Sequence, residues 1–573
     1  MHRWLSHKGA FSLLAVGAAS SLIIAGCSSS TGSSPSSSSN ALCSSSPAPT
    51  VAAASSSSAG GTTASASASS SASSSASSSS SSQGQVWKFV TEPDLQIGKV
   101  SVLTNNVPNE PGYLFTAPYA EGQPTGQIGA SINDNAGNPI WFKAVPGEGM
   151  ENLDFRVQQL NGKPVLTTWQ GTAAGAPGYN NLPEAAPEPG ACYYIYDQAY
   201  NVIKTVSAQN GWTGDVHEFL ITPQNTALFI TFKTVSKDLS QYGGPSNGYV
   251  GDYGIQEIDL NSGNLVFSWD MLDHVSLSDS NETAASANSS NGNVWDVFHM
   301  NSLDLNQQGQ ILVSSRNMWA GYTIDRPSGN IVWQLGGKQQ SNETWPLIKP
   351  NSSAAFSWQH MMRYRGPNQI SLFDDACCGT KADGSNEKQN GQTRGLLLNI
   401  NQQAKTASTV TTMYHSPAVE ATSQGSVQLL PSSSWLVGWG DQPYYSEYGH
   451  SGNTSSKPKG NLQYDVHLAG SNITYRAFRD TWVGTPSTPP KAAAQTANGQ
   501  LTVYASWNGS TQTAAWQVLA GNDANSLSVV VPNAKRHGFE TSIPVPGSAT
   551  NFQVKALDAS GNVIGTSAVV QKS

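Results

Sequence analysis

Between residues 85 and 480 the chain alternates aliphatic or aromatic with polar residues over short runs, the two-residue period of a strand that buries one face. The runs come in pairs joined by a polar turn, at 155–169, 217–232, 299–316, 360–374 and 426–439. No stretch keeps the spacing of an amphipathic helix over 12 residues or more. The pattern predicts an all-β body.

A second signal recurs between these pairs, a turn of the form Asp-x-x-Gly-Asn-x-Ile/Val-x-Trp. It stands at 134–141, 197–205, 259–269 and 325–333, with a degenerate copy at 399–410 and a last one at 468–478. Asn138, Asn201, Asn264 and Asn330 are spaced by 63, 63 and 66 residues, and Asn472 follows 142 later, the length of two more units. Six units of this length match four-stranded blades with long loops. The expected architecture is therefore a six-bladed β-propeller over 85–484; a β-sandwich array or a β-helix accounts less well for the period. Beyond a Pro-rich link at 485–490, further alternating runs predict a small β-sandwich at 487–573 of fibronectin type III or similar Ig-like kind, with Trp507, Trp516, Phe552 and Val554 in its core.

Composition changes the picture mainly at the N-terminus. Arg3 and Lys8 precede an apolar run at 10–25 that ends in Gly26-Cys27, the layout of a secretory signal whose small residues before a Cys resemble the bacterial lipobox. Residues 1–26 are expected to be a signal peptide, Cys27 to carry a lipid, and the charge-free Ser/Ala-rich stretch 28–84 to be a disordered tether. This implies an extracytoplasmic protein anchored to the cell membrane. Of the five cysteines, Cys192, Cys377 and Cys378 are left to supply one disulfide, with the pairing open. A net charge of −8 without basic clusters argues against nucleic acid as a partner.

The candidate chemistry sits at one register of the repeat. Of ten histidines, His217, His299 and His360 each begin the first strand of a unit, in three consecutive units. Equivalent positions of successive blades face one another around a propeller's axis, so these three converge. Asn301, two residues beyond His299, shares its strand face. Arg316 ends the paired strand, and the corresponding places in the flanking units hold Lys233 and Asp375. Imidazoles, a guanidinium and an amide make a donor-rich pocket suited to sulfate or phosphate oxygens. Three histidines also suit a metal, but the adjacent Arg and the lack of a carboxylate ligand pattern point away from one. No cofactor is called for. Trp319, Tyr322 and Trp358 are candidates to stack on a ring-shaped substrate.

Two stretches, DVFHMNSLDLNQQGQILVSSRNMWAGYTIDRPSGNIVWQLGGK (296–338) and FSWQHMMRYRGPNQISLFDDA (356–376), resemble the arylsulfotransferase family, with weaker matches at 93–119 and 215–222. The resemblance implies a six-bladed propeller and transfer of a sulfuryl group from an aryl sulfate to a phenolic acceptor, without a nucleotide donor. It implies a transiently sulfated histidine, whose matching position is His360. Arg316, Asn301, His299 and His217 would hold the sulfuryl oxygens, and one of the latter two would protonate the leaving phenolate. The better-known enterobacterial-type members carry a small N-terminal sandwich domain, whereas here the additional domain follows the repeat, where it is expected to pack on it or bind a protein or glycan. The second reading is a non-catalytic binding propeller for an anionic or glycan ligand.

Overall fold

The computed structural model describes residues 85–573 apart from 121, 148, 173–190, 288–292, 381–385, 389–390 and 498. The expected signal peptide, Cys27 and the tether lie outside the described residues. The described chain is all-β: its helical turns are four three-residue 3-10 segments, and none of its helices is long and apolar enough to cross a membrane.

Four-stranded antiparallel sheets recur along the chain. The first combines Tyr113–Thr116, Gly129–Asn133 and Pro139–Ala144 with Phe478–Asp480, which arrives from the far end of the repeat. The second runs Glu151–Leu160, Lys163–Gly171, Cys192–Tyr196, Val202–Val206, and the third Thr213–Ile221, Thr226–Lys237, Gly248–Asp259, Leu265–Asp270. In the fourth, Met300–Leu305, Ile311–Ser315, Ala320–Ile324 and Ile331–Gly336 pair in order, and the parallel strand Leu347–Pro350 joins it to the fifth. The fifth holds His360–Tyr364, Gln369–Asp374, Arg394–Asn401 and Thr406–Met413, so the two form one nine-stranded sheet. The sixth holds Ser426–Leu429, Trp435–Gly438, Tyr444–Tyr448 and Leu462–His467, with Ser101–Asn105 along its outer edge. The first strand of each sheet from the second to the sixth lies against that of the sheet before it.

The repeated turn has a local cause. Asp134 Oδ1 accepts the backbone N–H groups of Ala136 and Asn138, and Asp197 Oδ1 those of Ala199 and Asn201. The carboxylate thus closes the hairpin between the third and fourth strands. The last copy departs from this. Asn472 instead bonds the backbone of Thr125 through its side chain, and the sixth hairpin spans the loop after Tyr448.

Residues beyond 490 form two sheets, Lys491–Ala497, Gln500–Ser506, Glu540–Pro544 and Ser526–Lys535, Ala515–Asp523, Asn551–Leu557, Val563–Thr566. They share a core that contains Trp507, Trp516, Phe552 and Val554. Asn508 donates to the carbonyl of Phe142 and accepts its N–H, while the Glu540 carboxylate caps the N–H groups of Val90 and Thr91. Cys192 is disulfide-bonded.

Candidate active site

His217, His299 and His360 meet. Each comes from the first strand, or the residue leading into it, of the third, fourth and fifth sheets. His217 lies in a bulge where the register of Thr213–Ile221 breaks between Gly214 and Phe219. His299 directly precedes Met300–Leu305 and takes a left-handed φ of 50°. His360 opens its strand opposite Phe373. The ring centroids of His217 and His299 are 4.9 Å apart and those of His299 and His360 6.3 Å. One nitrogen from each of the three lies within 4.8 Å of the others, and all three rings are buried.

Every one of these imidazoles is held by a carboxylate. Nδ1 of His217 meets Asp215 at 2.6 Å, that of His299 meets Asp296 at 2.5 Å, and that of His360 meets Asp375 at 2.7 Å. The Asp partners escaped sequence reasoning, although Asp215 and Asp296 stand two and three residues before their histidines. Asp375 was visible only as the counterpart of Arg316 in the next unit. For His360 the tautomer follows from geometry: its Nε2 accepts the backbone N–H of Gln424 at 3.1 Å, so the ring proton sits on Nδ1 and faces Asp375. Burial pushes the His360 imidazole well below its usual range, helped by the Arg316 guanidinium, and burial likewise holds the Asp375 carboxyl well above the usual carboxylate range. Burial also lowers His217, against the pull of Asp215.

Arg316 borders the cluster. Its backbone N–H is bound by the His299 carbonyl, its guanidinium donates to Asn317 Oδ1 and to the Thr422 carbonyl, and it lies 4.9 Å over the Trp358 ring. Trp319 packs edge-on against Trp358 at 5.2 Å. Both tryptophans and Gln424 hold left-handed backbone angles of 51°, 57° and 71°, strain of the kind that gathers at functional sites. Asn301 is fully buried, donates to the Gln359 carbonyl next to His360, and leaves its Oδ1 unpartnered. Tyr322 belongs to the large buried core cluster that also holds Met318, Ala320 and Ile324, and Asp279 and Glu343 are the charged groups that act on its hydroxyl. Lys233, the counterpart of Arg316 in the third sheet, is bound to Asp252 and Asp270.

Next to the histidines runs a buried ionic network that sequence reasoning did not find. Glu218, the residue after His217, binds Arg156, Arg363 and Arg476 at 2.5, 2.6 and 3.2 Å. Arg476 also binds Asp154 and the carbonyl of Asn301. These guanidiniums outweigh the cost of burying the Glu218 carboxylate and hold it down at about 2. The second, third, fourth and fifth sheets are all tied together here, since Leu303 of the fourth also donates its N–H to Glu218.

Three Asp-held imidazoles beside a guanidinium offer, chemically, a nucleophile, proton donors or acceptors and a holder for an oxyanion. The chain belongs to the arylsulfotransferase family: the family model described as Arylsulfotransferase (ASST) matches residues 156–458, more than half of its 573 residues. Membership supports aryl sulfotransferase activity in general, and the family implies small-molecule aryl sulfates and phenols as substrates. No curated protein matches it. Among solved structures, a protein of unknown function from Bacteroides caccae is 10% identical with a TM-score of 0.33, covering 64% of this chain and 98% of its own. A catalytically inactive virginiamycin B lyase from Staphylococcus aureus, crystallised with quinupristin, is 8% identical with a TM-score of 0.30 over 72% of this chain and 96% of its own. A hypothetical selenium-binding protein from Sulfolobus tokodaii is 12% identical with a TM-score of 0.33 over 80% of this chain and 98% of its own.

Proposed function

We propose that the protein moves a sulfuryl group from an aryl sulfate to a phenol through a sulfated His360. The observation that carries this is the orientation of one ring: His360 is held at Nδ1 by Asp375, so its nucleophilic lone pair is at Nε2, where it accepts the main-chain N–H of Gln424 that an aryl sulfate must displace. Nε2 attacks sulfur as the sulfur–oxygen bond to the aryl group breaks, and the bonding pair leaves on the phenolate. His299 or His217, each paired to an Asp and entering the step as the imidazolium, gives that oxygen its proton from Nε2. The acceptor phenol then returns a proton to the same imidazole and attacks sulfur, breaking the N–S bond and freeing His360. Arg316, and Asn301 through the second N–H of its amide, bind the sulfuryl oxygens, where charge builds up without much covalent help. Trp319 and Trp358 flank the aryl group.

In this reading the six sheets are the blades of a propeller, closed by Phe478–Asp480 joining the first sheet. The histidines of adjacent sheets then meet on its axis. The body is carried on a lipid at Cys27 and a tether outside the membrane, and the C-terminal sheets form a fibronectin type III-like domain.

The test is to incubate the protein with 4-nitrophenyl sulfate, with and without phenol. Nitrophenolate release that rises with phenol, together with an acid-labile label lost in His360→Ala, supports the mechanism. A sulfated intermediate that survives in His360→Ala overturns it.

A further inference from the structure

We infer that His217, His299 and His360 also form a binding site for a first-row divalent cation of the zinc class, and that this cation and a sulfuryl group exclude each other. Three observations carry the metal site. The three ligand nitrogens lie within 4.8 Å of one another, so a small inward movement of each ring brings them to the distances of about 2.0–2.1 Å at which imidazole binds zinc. Each ring donates its other nitrogen to a buried or half-buried carboxylate, the arrangement that orients histidine ligands and raises their basicity toward a metal. With Nδ1 so committed, what each neutral ring presents inward is a lone pair. At His360 this is fixed independently, because Nε2 accepts an N–H from the main chain of Gln424.

Carboxylates stand behind the ligands. Asp215, Asp296 and Asp375 surround the three rings, and Asp215 Oδ2 and Asp375 Oδ1 have no hydrogen-bond partner. Against them stands the Arg316 guanidinium, which is held by the Thr422 carbonyl and Asn317 and acts on His360, whereas Arg476 is paired with Asp154 and Glu218. The carboxylate pattern absent from the linear sequence is therefore present in space, behind the ligands. Three histidines leave a fourth tetrahedral position open to water. A bound cation takes the Nε2 lone pair of His360, displaces the Gln424 N–H, and leaves no nucleophile. The exclusion rests on the sulfuryl-transfer reading; the metal site does not.

Cobalt reports the coordination directly. The full-length protein, stripped with chelator, is titrated with cobalt(II) chloride and followed by its visible spectrum, with no aryl sulfate present. One Co²⁺ per chain with an intense four-coordinate spectrum, displaced by one equivalent of zinc, is expected. His217→Ala and His360→Ala should lose it, while His537→Ala on the C-terminal sheets keeps it. Asp296→Asn, which leaves all three ligands in place, should weaken binding about 10–100-fold. No stoichiometric cobalt spectrum, or one that persists in both histidine variants, overturns the site. Asp296→Asn binding cobalt as tightly as the wild type overturns the role of the carboxylates. Zinc at one equivalent should then abolish nitrophenolate release, and full turnover by the zinc-loaded protein overturns the exclusion. If wild-type protein releases no nitrophenolate even without metal, the transfer reading fails while the cobalt spectrum still decides the metal site.

Discussion

The main-chain N–H of Gln424 lies 3.1 Å from Nε2 of His360, on the one lone pair that the Asp375 contact leaves available. Gln424 reaches this position with a φ of 71°, and Gly425 after it sits against the Phe373 ring with a φ of 105°. Segment 422–424 thus touches both His360 and, through the Thr422 carbonyl, Arg316.

A β-branched residue at 424 should be penalised for the left-handed backbone. Gln424→Val is expected to destabilise the fold by about 1–3 kcal/mol and to slow turnover, whereas Gln424→Gly keeps the N–H and both properties. Urea midpoints and nitrophenolate rates read this out. Equal stability of the two variants would show that the segment carries no strain.

The Asp375 contact sets which nitrogen of His360 carries the proton and which the lone pair. Asp375→Asn keeps the shape but offers an N–H where the ring needs an acceptor, so the imidazole turns or changes tautomer. Turnover should fall on the order of 10⁴-fold, by analogy with other Asp-oriented catalytic histidines, with little change in the apparent affinity for aryl sulfate. A loss confined to KM would contradict the orienting role.

Arg316 should behave as a charge donor rather than as a nucleophile. Arg316→Ala is expected to lower kcat about 10²–10³-fold, as the loss of a preorganised oxyanion donor does, and still to accumulate a sulfated protein in single-turnover experiments. His360→Ala accumulates none.

Removing Glu218 leaves the buried Arg363 guanidinium without its ion-pair partner, while Arg156 and Arg476 keep Asp154. Glu218→Gln should cost about 3–5 kcal/mol of stability, measured by urea unfolding, and the double change Glu218→Gln with Arg363→Met should recover part of it. Loss under 1 kcal/mol for the single variant would mean that the network adds little.

Stability should fall as pH rises from 5 to 8. Burial raises Glu151, Glu447 and Asp480 to about 7, against ordinary values of 4.5 for Glu and 3.8 for Asp. Between the ordinary and the raised values the folded chain holds protons that the unfolded chain has released, so raising the pH favours unfolding. The lowered imidazoles of His217 and His360 act in the opposite sense below their ordinary value of 6.5, two groups against three raised carboxyls, and Glu218 does so only below its ordinary value of 4.5, as pH falls toward about 2. A urea midpoint higher at pH 8 than at pH 5 would contradict this.

What the sequence determined by itself is what short-range physics encodes. The alternation of polar and apolar residues, the Asp–Asn turns and the register of His217, His299 and His360 each depend on contacts a few residues apart, and the sheets follow them. Tyr322 shows where that ends. In Ala320–Ile324 every residue is buried, so alternation along the strand could not tell the face toward the histidines from the face toward the core. The carboxylate at His360 comes from beyond the neighbouring strand, its covering N–H from the next sheet, and the Arg476 that binds Glu218 from the segment that returns to the first sheet. These partners are chosen by how the sheets pack around one another, and only the tertiary structure decided them.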